Sequence, residues 1–474
     1  MVLAVSFTTQ KMRLYRLCLI ILCCLAPLQS SWATTAFSRQ TGEPCTACHM
    51  QGYGPWLTQY GQKFKLDGYV AGNANKLPDA LNPFSLEIVG SFTNTQKDNT
   101  GDAYVSNKSY QSSANNNLVN DWTAVYYTGR ITNKIGSYLQ MNISPQTGRS
   151  ISLAMADIRY ANHLAYNGNN ITYGLSLNNA PTMSDFWMST YAWMYPYTQS
   201  SVTVQPAAHP YLQGLMSGAY TAGATLYTMI NNHLYLEAGA YTSQARVMQQ
   251  GLGVSSAAHG TSLQTGQIDG PAPYWRAFLQ HTVGPHTMMI GTYGLAARVF
   301  PQYQRSSGLD TYVEYNADAN YSYMLNDDNM LMAMFRYTRD EMNMTASQGL
   351  GISANSQNHL NSLMMMGMWT YKQTYNLTVG WMNMTGSIDP TLYGSGNAIT
   401  GSFNGSPNTN SLLFEADYVP FGKGVAGSDP YLNLRLSMQY WAYTQFNGAY
   451  SNYDGNGRSP EANNTLYVSG NIMF

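Results

Sequence analysis

The chain has 474 residues, a length that suits two or three ordinary domains or one large β-barrel. Charged residues make up only 10% of it, against about 25% in a typical soluble protein. The formal net charge is −1 and no basic stripe is present, so nucleic acid is not expected as a partner. The many tyrosines, glycines, asparagines, serines and threonines favour strands and turns over helices.

The first residues of the chain predict a signal for export. Basic residues at positions 11, 13 and 16 precede an apolar run over residues 17–28, and small residues follow that run. We therefore predict a secretory signal peptide over residues 1–33. The polar lead before Met12 is long, so the start of translation stays open between Met1 and Met12.

Two cysteines follow the predicted cleavage site, and both lie in the motif C-T-A-C-H, which contains Cys45, Cys48 and His49. This spacing is the attachment motif of haem c, in which both thiols bond covalently to the haem and the histidine binds its iron. A disulfide is the weaker interpretation, because it would close a very short loop. A structural zinc site needs four ligands, and no further cysteine follows. We therefore predict one covalently bound haem c in a cytochrome segment over residues 34–82.

Residues 83–474 predict an all-β transmembrane barrel of the outer membrane. They divide into segments of about ten residues in which apolar and polar side chains alternate, as in transmembrane strands. In one such segment Leu434 and Leu436 would face lipid, while Asn433 and Arg435 would face the lumen. About sixteen strands are predicted, near residues 84–93, 121–131, 135–144, 151–162, 170–178, 217–230, 233–243, 273–283, 286–297, 309–323, 328–338, 360–371, 374–384, 410–419, 430–443 and 464–474.

The links between these segments alternate between short and long. Short links around Asn133 and Gln373 interleave with long ones such as 94–120 and 179–216. Bacterial outer-membrane barrels have an even number of strands, short periplasmic turns and longer outer loops. We therefore expect both termini on the periplasmic side, the long loops at the cell surface and outer-membrane lipid around the wall. The terminal aromatic residue, Phe474, is typical of such chains.

The cytochrome segment is small for a domain with a core of its own, because only about fifty residues separate the predicted cleavage site from the first strand. A barrel of about sixteen strands encloses either a water channel or a plug. We therefore expect the haem segment to plug the mouth or lumen of the barrel, so that the barrel supplies the walls of the haem site.

The stretch AFSRQTGEPCTACHMQGYGPWLTQYGQKFKLDGY, residues 36–69, carries a family resemblance. The run FSRQTG leads into the haem motif, and a run of the form L-T-x-[FY]-G-x-x-F-K-L-x-G-Y follows over residues 57–69. In these features the chain resembles the fused outer-membrane monohaem cytochrome–porins of Fe(II)-oxidising bacteria. Gln62 departs from the pattern, because a basic residue is usual at that position.

This resemblance implies an oxidoreductase that takes electrons from extracellular Fe(II). It passes them through its haem to a periplasmic carrier, either a c-type cytochrome or a cupredoxin. The alternative is a transport porin whose haem segment acts as a plug or a redox gate. A structural or adhesive barrel with a chance haem motif is a third interpretation, and a covalent haem stain would eliminate it.

The second axial ligand of the haem iron is left open by the sequence. Methionine opposite histidine favours the high haem potential that suits oxidation of Fe(II). Met50 is disfavoured because it directly follows His49. The candidates are methionines on one face of three neighbouring strands, expected to line the lumen: Met330, Met332, Met334, Met364, Met366, Met368, Met382 and Met384. Packing alone also explains such a face. Histidines elsewhere are further candidates: His233, His281 and His286.

Overall fold

The computed structural model describes residues 35–72, 83–99, 113–143, 151–187, 197–215, 220–252, 266–394, 399–423 and 432–474. The signal peptide predicted over residues 1–33 lies outside these ranges. None of the helices within them is long and apolar enough to cross a lipid bilayer.

The described strands form a single antiparallel sheet. Their bounds are Phe84–Thr95 (β1), Asn117–Arg130 (β2), Ile135–Ile143 (β3), Ser152–Tyr166 (β4), Asn169–Asn178 (β5), Thr221–Ile230 (β6), Leu234–Ser243 (β7), Gln267–Ile268 (β8), Ala272–Val283 (β9), His286–Phe300 (β10), Asp310–Met324 (β11), Asn329–Asn343 (β12), Gln357–Tyr371 (β13), Tyr375–Gly386 (β14), Thr409–Tyr418 (β15), Asn433–Gln445 (β16) and Thr465–Met473 (β17).

The sheet closes on itself. β1 pairs with both β2 and β17, and Glu87 of β1 lies opposite Met473 of β17. β8 has two residues and pairs with the end of β10, while β7 pairs directly with β9. Sixteen strands therefore form the ring, as the sequence predicted. Individual bounds differ by a few residues: the strand predicted over 328–338 continues to Asn343, for example.

The two ends of the barrel differ. At the short-turn end, most strands are joined by tight turns. Several of these turns contain residues with positive φ, among them Asn231 and Asn232 (52° and 58°), and Lys372 and Gln373 (54° and 50°). Such turns match the twist of paired strands. Long connections lie at the opposite end, which we call the loop end. They include the described helices Tyr211–Leu215 (α4), Arg246–Gly251 (α5) and Thr345–Gly349 (α6) and the 3₁₀ turns Pro181–Met183, Pro301–Tyr303, Arg305–Ser307 and Pro460–Asn463.

The wall of the barrel is apolar outside and polar inside. Leu226 and Ile290 are exposed on its outer face, and Leu436 and Met438 of β16 also point outward, as predicted. The inner face buries ion pairs, such as Arg159 with Asp157 at 2.9 Å. Others are Arg276 with Asp318 at 2.8 Å and Arg435 with Asp417 at 2.9 Å. This is the arrangement of a barrel surrounded by lipid, because charged groups lie on the side away from hydrocarbon.

Residues 35–72, which we call the plug, lie inside the short-turn end of the barrel. They fold into the helices Thr35–Thr41 (α1), Cys45–Cys48 (α2) and Gln59–Leu66 (α3). Inward-facing residues of widely separated strands hold the plug: Ser85 of β1 contacts Thr35, Asp157 of β4 accepts a hydrogen bond from Tyr69, and Tyr227 of β6 donates to the Leu66 carbonyl. The N-terminal segment therefore lies inside the barrel, as expected.

Candidate functional site

The C-x-x-C-H motif forms one helical turn at the centre of the plug. α2 spans Cys45–Cys48, and His49 follows in extended conformation, with φ −116° and ψ 128°. The His49 N–H donates to the Cys45 carbonyl at 2.7 Å and closes the turn. Residues three apart on a helix share one face, so the turn presents both thiols to the same side.

A cavity of about 120 Å³, the His49 cavity, lies between the plug and the barrel wall. Cys48 and His49 line it, and most of the other lining side chains are aromatic or apolar. The plug contributes Phe37, Ser38, Thr41, Tyr53, Gly54, Pro55, Leu57, Gly61, Phe64, Lys65 and Tyr69, and the remaining lining residues are Tyr126, Tyr138, Tyr197, Asn433 and Met473.

Cys45 is fully buried beside this cavity. Asn433 Nδ2 donates to Cys45 Sγ at 3.1 Å and to the Gly52 carbonyl at 3.0 Å. Asn433 lies on the face of β16 that the alternation of the sequence predicted to point into the lumen. The barrel wall therefore fixes the first half of the motif directly.

Gln373 fixes the other side of the motif from the short-turn end. Its Nε2 donates to the backbone carbonyls of Thr46 and His49, at 3.0 and 3.2 Å. Within the plug, Gly61 of α3 lies against α2 so closely that a Cβ atom there would meet the Cys48 carbonyl oxygen at 2.3 Å. Only glycine permits this approach of the two helices.

Burial controls the protonation of the three motif side chains. Burial raises the pKa of Cys45, and burial together with the Glu43 carboxylate raises the pKa of Cys48 to about 12. Both thiols are therefore neutral at ordinary pH. Burial also lowers the pKa of His49 to about 4, and the nearby Gly54 backbone offsets part of this effect. A neutral imidazole has the free lone pair that metal ions bind.

These residues fit a covalently bound haem better than a protein-only metal site. The buried Nδ1 of His49 has no hydrogen-bond partner among the described residues. Within the described ranges, no three His, Cys, Asp or Glu side chains are grouped to hold a metal ion. A haem brings four nitrogen ligands of its own and needs only axial ligands from the protein. The aromatic and apolar lining suits the porphyrin face.

A cluster that the sequence did not reveal lies between the His49 cavity and the loop end. Glu87 of β1 is buried and accepts hydrogen bonds from the hydroxyls of Tyr53, Tyr126 and Tyr197, at 2.6, 2.5 and 3.1 Å. The indole N–H of Trp122 also points to this carboxylate, at 3.4 Å. The alternation of β1 predicts that Glu87 faces inward, but its tyrosine partners come from the plug, β2 and the connection between β5 and β6.

A second space, the loop-end cavity, reaches this cluster from the opposite side. It measures about 630 Å³ and is lined mainly by polar residues, among them Asp121, Asn142 and His209. Tyr197 lines both the loop-end cavity and the His49 cavity. One aromatic side chain therefore borders both spaces.

The predicted methionine face does point into the lumen, but it lies away from the His49 cavity. Six of its members form one buried cluster with Met50 and Trp56 of the plug: Met330, Met332, Met334, Met364, Met366 and Met368. Met382 packs against this cluster and Met384 against another. None of the eight lines the His49 cavity. The methionine that does is Met473, which was not among the predicted candidates.

The three candidate histidines also lie apart from the cavity. His233 and His281 are exposed at the short-turn end, with their Nδ1 atoms 3.5 Å apart. The Nδ1 of His286 lies 2.8 Å from the Tyr321 hydroxyl. None of these rings lines the space beside His49.

The closed ring, the apolar outer face and the polar interior together define a porin-like outer-membrane β-barrel. Solved structures of similar architecture include the outer membrane channel DcaP of Acinetobacter baumannii, with 10% identity and a TM-score of 0.45 over 82% of this chain and 96% of that one. An anion-selective porin from Comamonas acidovorans has 10% identity and a TM-score of 0.43, over 82% and 98%. OmpT of Vibrio cholerae has 7% identity and a TM-score of 0.40, over 82% and 96%. No protein-family profile and no curated protein sequence matches the chain.

Proposed function

We propose that the plug carries one haem c, bonded covalently to Cys45 and Cys48 and bound at its iron by His49, and that the barrel conducts electrons inward across the outer membrane. The observation that carries this proposal is the convergence of Cys48 and His49 on a single cavity, lined mainly by aromatic and apolar side chains, inside a closed barrel. When bound, the haem supplies a one-electron carrier within the membrane.

The residues around the cavity have separate tasks in this proposal. Asn433 and Gln373 orient the C-x-x-C-H turn through hydrogen bonds to Cys45 and to the His49 carbonyl. Phe37 and Phe64, whose ring centroids are 5.0 Å apart, keep water from the site. Tyr197 separates the cavity from the loop-end space, so a donor that enters from outside approaches to within one side chain of the haem site.

Fe(II) is proposed as the electron donor, because the stretch over residues 36–69 resembles cytochrome–porins of iron-oxidising bacteria. Each Fe(II) ion loses one electron and remains outside as Fe(III). The acceptor would be a periplasmic c-type cytochrome or cupredoxin at the short-turn end, where the plug lies. The protein would then act as an oxidoreductase without moving iron across the membrane.

Anaerobic mixing of the purified full-length protein with Fe(II) tests this proposal. Rapid appearance of the absorption bands of reduced haem is expected. A His49→Ala variant should lose the reaction, whereas His233→Ala, at an exposed rim histidine, should retain it. Absence of covalent haem on a denaturing gel, or oxidised haem that Fe(II) does not reduce, would contradict the proposal.

The second candidate function is a transport porin with a haem-bearing plug, and the wide polar loop-end cavity favours it. Solute flux into liposomes, combined with failure of Fe(II) to reduce the haem, would support this function. Contacts from several strands hold the plug inside the short-turn end. Electron transfer through a haem in the plug would require no solute to pass through the barrel.

A further inference from the structure

The His49 cavity contains a second side chain suited to bind iron. Met473 of β17 is buried and lines this cavity together with His49. Its neighbour Phe474 is exposed, in keeping with the alternation of a barrel strand, so Met473 points inward. Among the described residues that line the cavity, it is the only one that carries a thioether.

The phenols around the cavity are held in hydrogen bonds. Tyr53, Tyr126 and Tyr197 donate to Glu87, the Tyr69 hydroxyl donates to Asp157 at 2.8 Å, and the Tyr138 hydroxyl donates to Gln140 at 3.5 Å. These phenols would have to lose a proton and a partner before binding iron.

The amine and the amide at the cavity are held in the same way. Lys65 Nζ donates to the Asp185 carbonyl at 2.6 Å, a bond that ties the plug to the barrel. Asn433 donates to Cys45 and Gly52. A thioether needs no deprotonation, and no second histidine lines the cavity among the described residues.

Met473 also lies in the part of the wall that holds the haem motif. It is paired in the sheet with Asn433, which donates to Cys45 Sγ, and with Glu87, which anchors the tyrosine cluster. Its side chain packs with Tyr53 of the plug and Tyr126 of β2. Its position is therefore fixed relative to the residues that would fix the haem.

We infer that Met473 is the second axial ligand of the haem iron, opposite His49. This inference rests on the proposed function, since it requires a haem on Cys45 and Cys48. Thioether ligation raises the haem potential, which suits a site that accepts electrons from Fe(II). Because β17 closes the barrel against β1, complete ligation also requires a closed barrel.

Spectroscopy of the oxidised full-length protein tests the ligand directly. The wild type should show the sulfur-to-iron charge-transfer band of methionine ligation, and its reduced form should show strongly shifted methionine methyl signals in proton NMR. Met473→Leu should lose both features and lower the reduction potential while keeping the covalent haem. Met473→His should give bis-histidine ligation. Met366→Leu, in the methionine cluster, is the matched control and should leave the spectrum unchanged.

Several outcomes would overturn the inference. Covalent haem in the wild type without the charge-transfer band, or with a lysine–histidine spectrum, would exclude Met473 even if no variant folds. A band that persists in Met473→Leu would also exclude it. Heat-modifiable gel mobility shows whether each variant has closed its barrel. Absence of covalent haem in the wild type would refute the proposed function as well, so the two failures are distinguishable.

Discussion

His49 and Met50 are consecutive, yet their side chains serve opposite sides of the plug. His49 lines the cavity, while Met50 packs with the buried methionines of β12 and β13. The cause is the extended backbone at His49, which forms a β-bridge with Leu57 and so sends successive side chains in opposite directions. The methionine cluster therefore packs against the side of the plug that faces away from the His49 cavity.

Removal of the Met50 side chain is expected to loosen the plug. Truncation of a buried methionine to alanine costs about 2–5 kcal/mol, and Met50 is buried, with only 7% of its surface exposed. Met50→Ala should lower the thermal midpoint of the plug and speed its proteolysis without altering the ligation of His49. Met50→Leu keeps the volume and should cost less than about 1.5 kcal/mol. Equal effects of the two substitutions would contradict the packing role.

Gly61 is expected to be irreplaceable despite its helical conformation. Inside an exposed helix, alanine stabilises the helix by about 0.8–1.0 kcal/mol relative to glycine. At Gly61 the new Cβ would lie 2.3 Å from the Cys48 carbonyl oxygen, so Gly61→Ala should instead destabilise the plug by about 1–3 kcal/mol and reduce haem attachment. Gly349→Ala is the control, because it is helical with no atom within 4 Å of its Cβ position. Haem content per barrel and thermal unfolding measure both effects.

Gln373 is expected to anchor the plug to the short-turn end. Gln373→Ala removes two hydrogen bonds to the Thr46 and His49 carbonyls, and should weaken docking by about 1–2 kcal/mol. Planar-bilayer recordings should then show more frequent openings. Lys372→Ala changes the adjacent residue, whose ion pair with Asp328 is exposed and therefore contributes little to stability. If both variants open equally often, the anchoring role is wrong.

Asp389 is expected to make loop stability depend on acidity. Burial acts to raise its pKa, but hydrogen bonds from Ser353, Ala354, Asn358 and Leu392 outweigh burial and lower the pKa to about 2. Since an unfolded aspartate has a pKa of about 3.9, the stabilisation is complete above that pH and is lost as the pH falls through about 2.

Thermal unfolding of wild type and Asp389→Asn at several pH values checks this dependence. The wild type should be more stable by about 1–3 kcal/mol above pH ~4, and the difference should shrink towards pH ~2. Asp269→Asn, which removes an exposed pair with Arg298, should show no comparable trend. A difference between wild type and Asp389→Asn that stays constant from pH ~7 to pH ~2 would contradict the assignment.

Much of the barrel was predictable from local patterns. The alternation of apolar and polar residues correctly predicted that Asn433 and Arg435 face the lumen and that Leu436 faces outward. It also correctly predicted that the methionines of β12 and β13 face the lumen. Strand bounds were less exact, because strands such as β12 continue over mostly polar residues, Arg339 to Asn343, which do not alternate clearly between apolar and polar. The C-x-x-C-H motif was likewise recognisable in the sequence, since Cys45, Cys48 and His49 lie close together in the chain.

The sequence by itself determined which face of each strand points inward and where the C-x-x-C-H motif lies, because both depend on residues close together in the chain. Only the tertiary structure decided which side chains share a cavity with His49. Met473 lies more than four hundred residues from His49 in the sequence. The methionines of β12 and β13, which the sequence offered as iron ligands, pack against Met50 and Trp56 of the plug instead. The hydrogen bonds between Glu87 and its tyrosines could not be predicted from the sequence either. Such contacts depend on how the ring closes and how the plug is oriented within it, and strand periodicity carries no information about either.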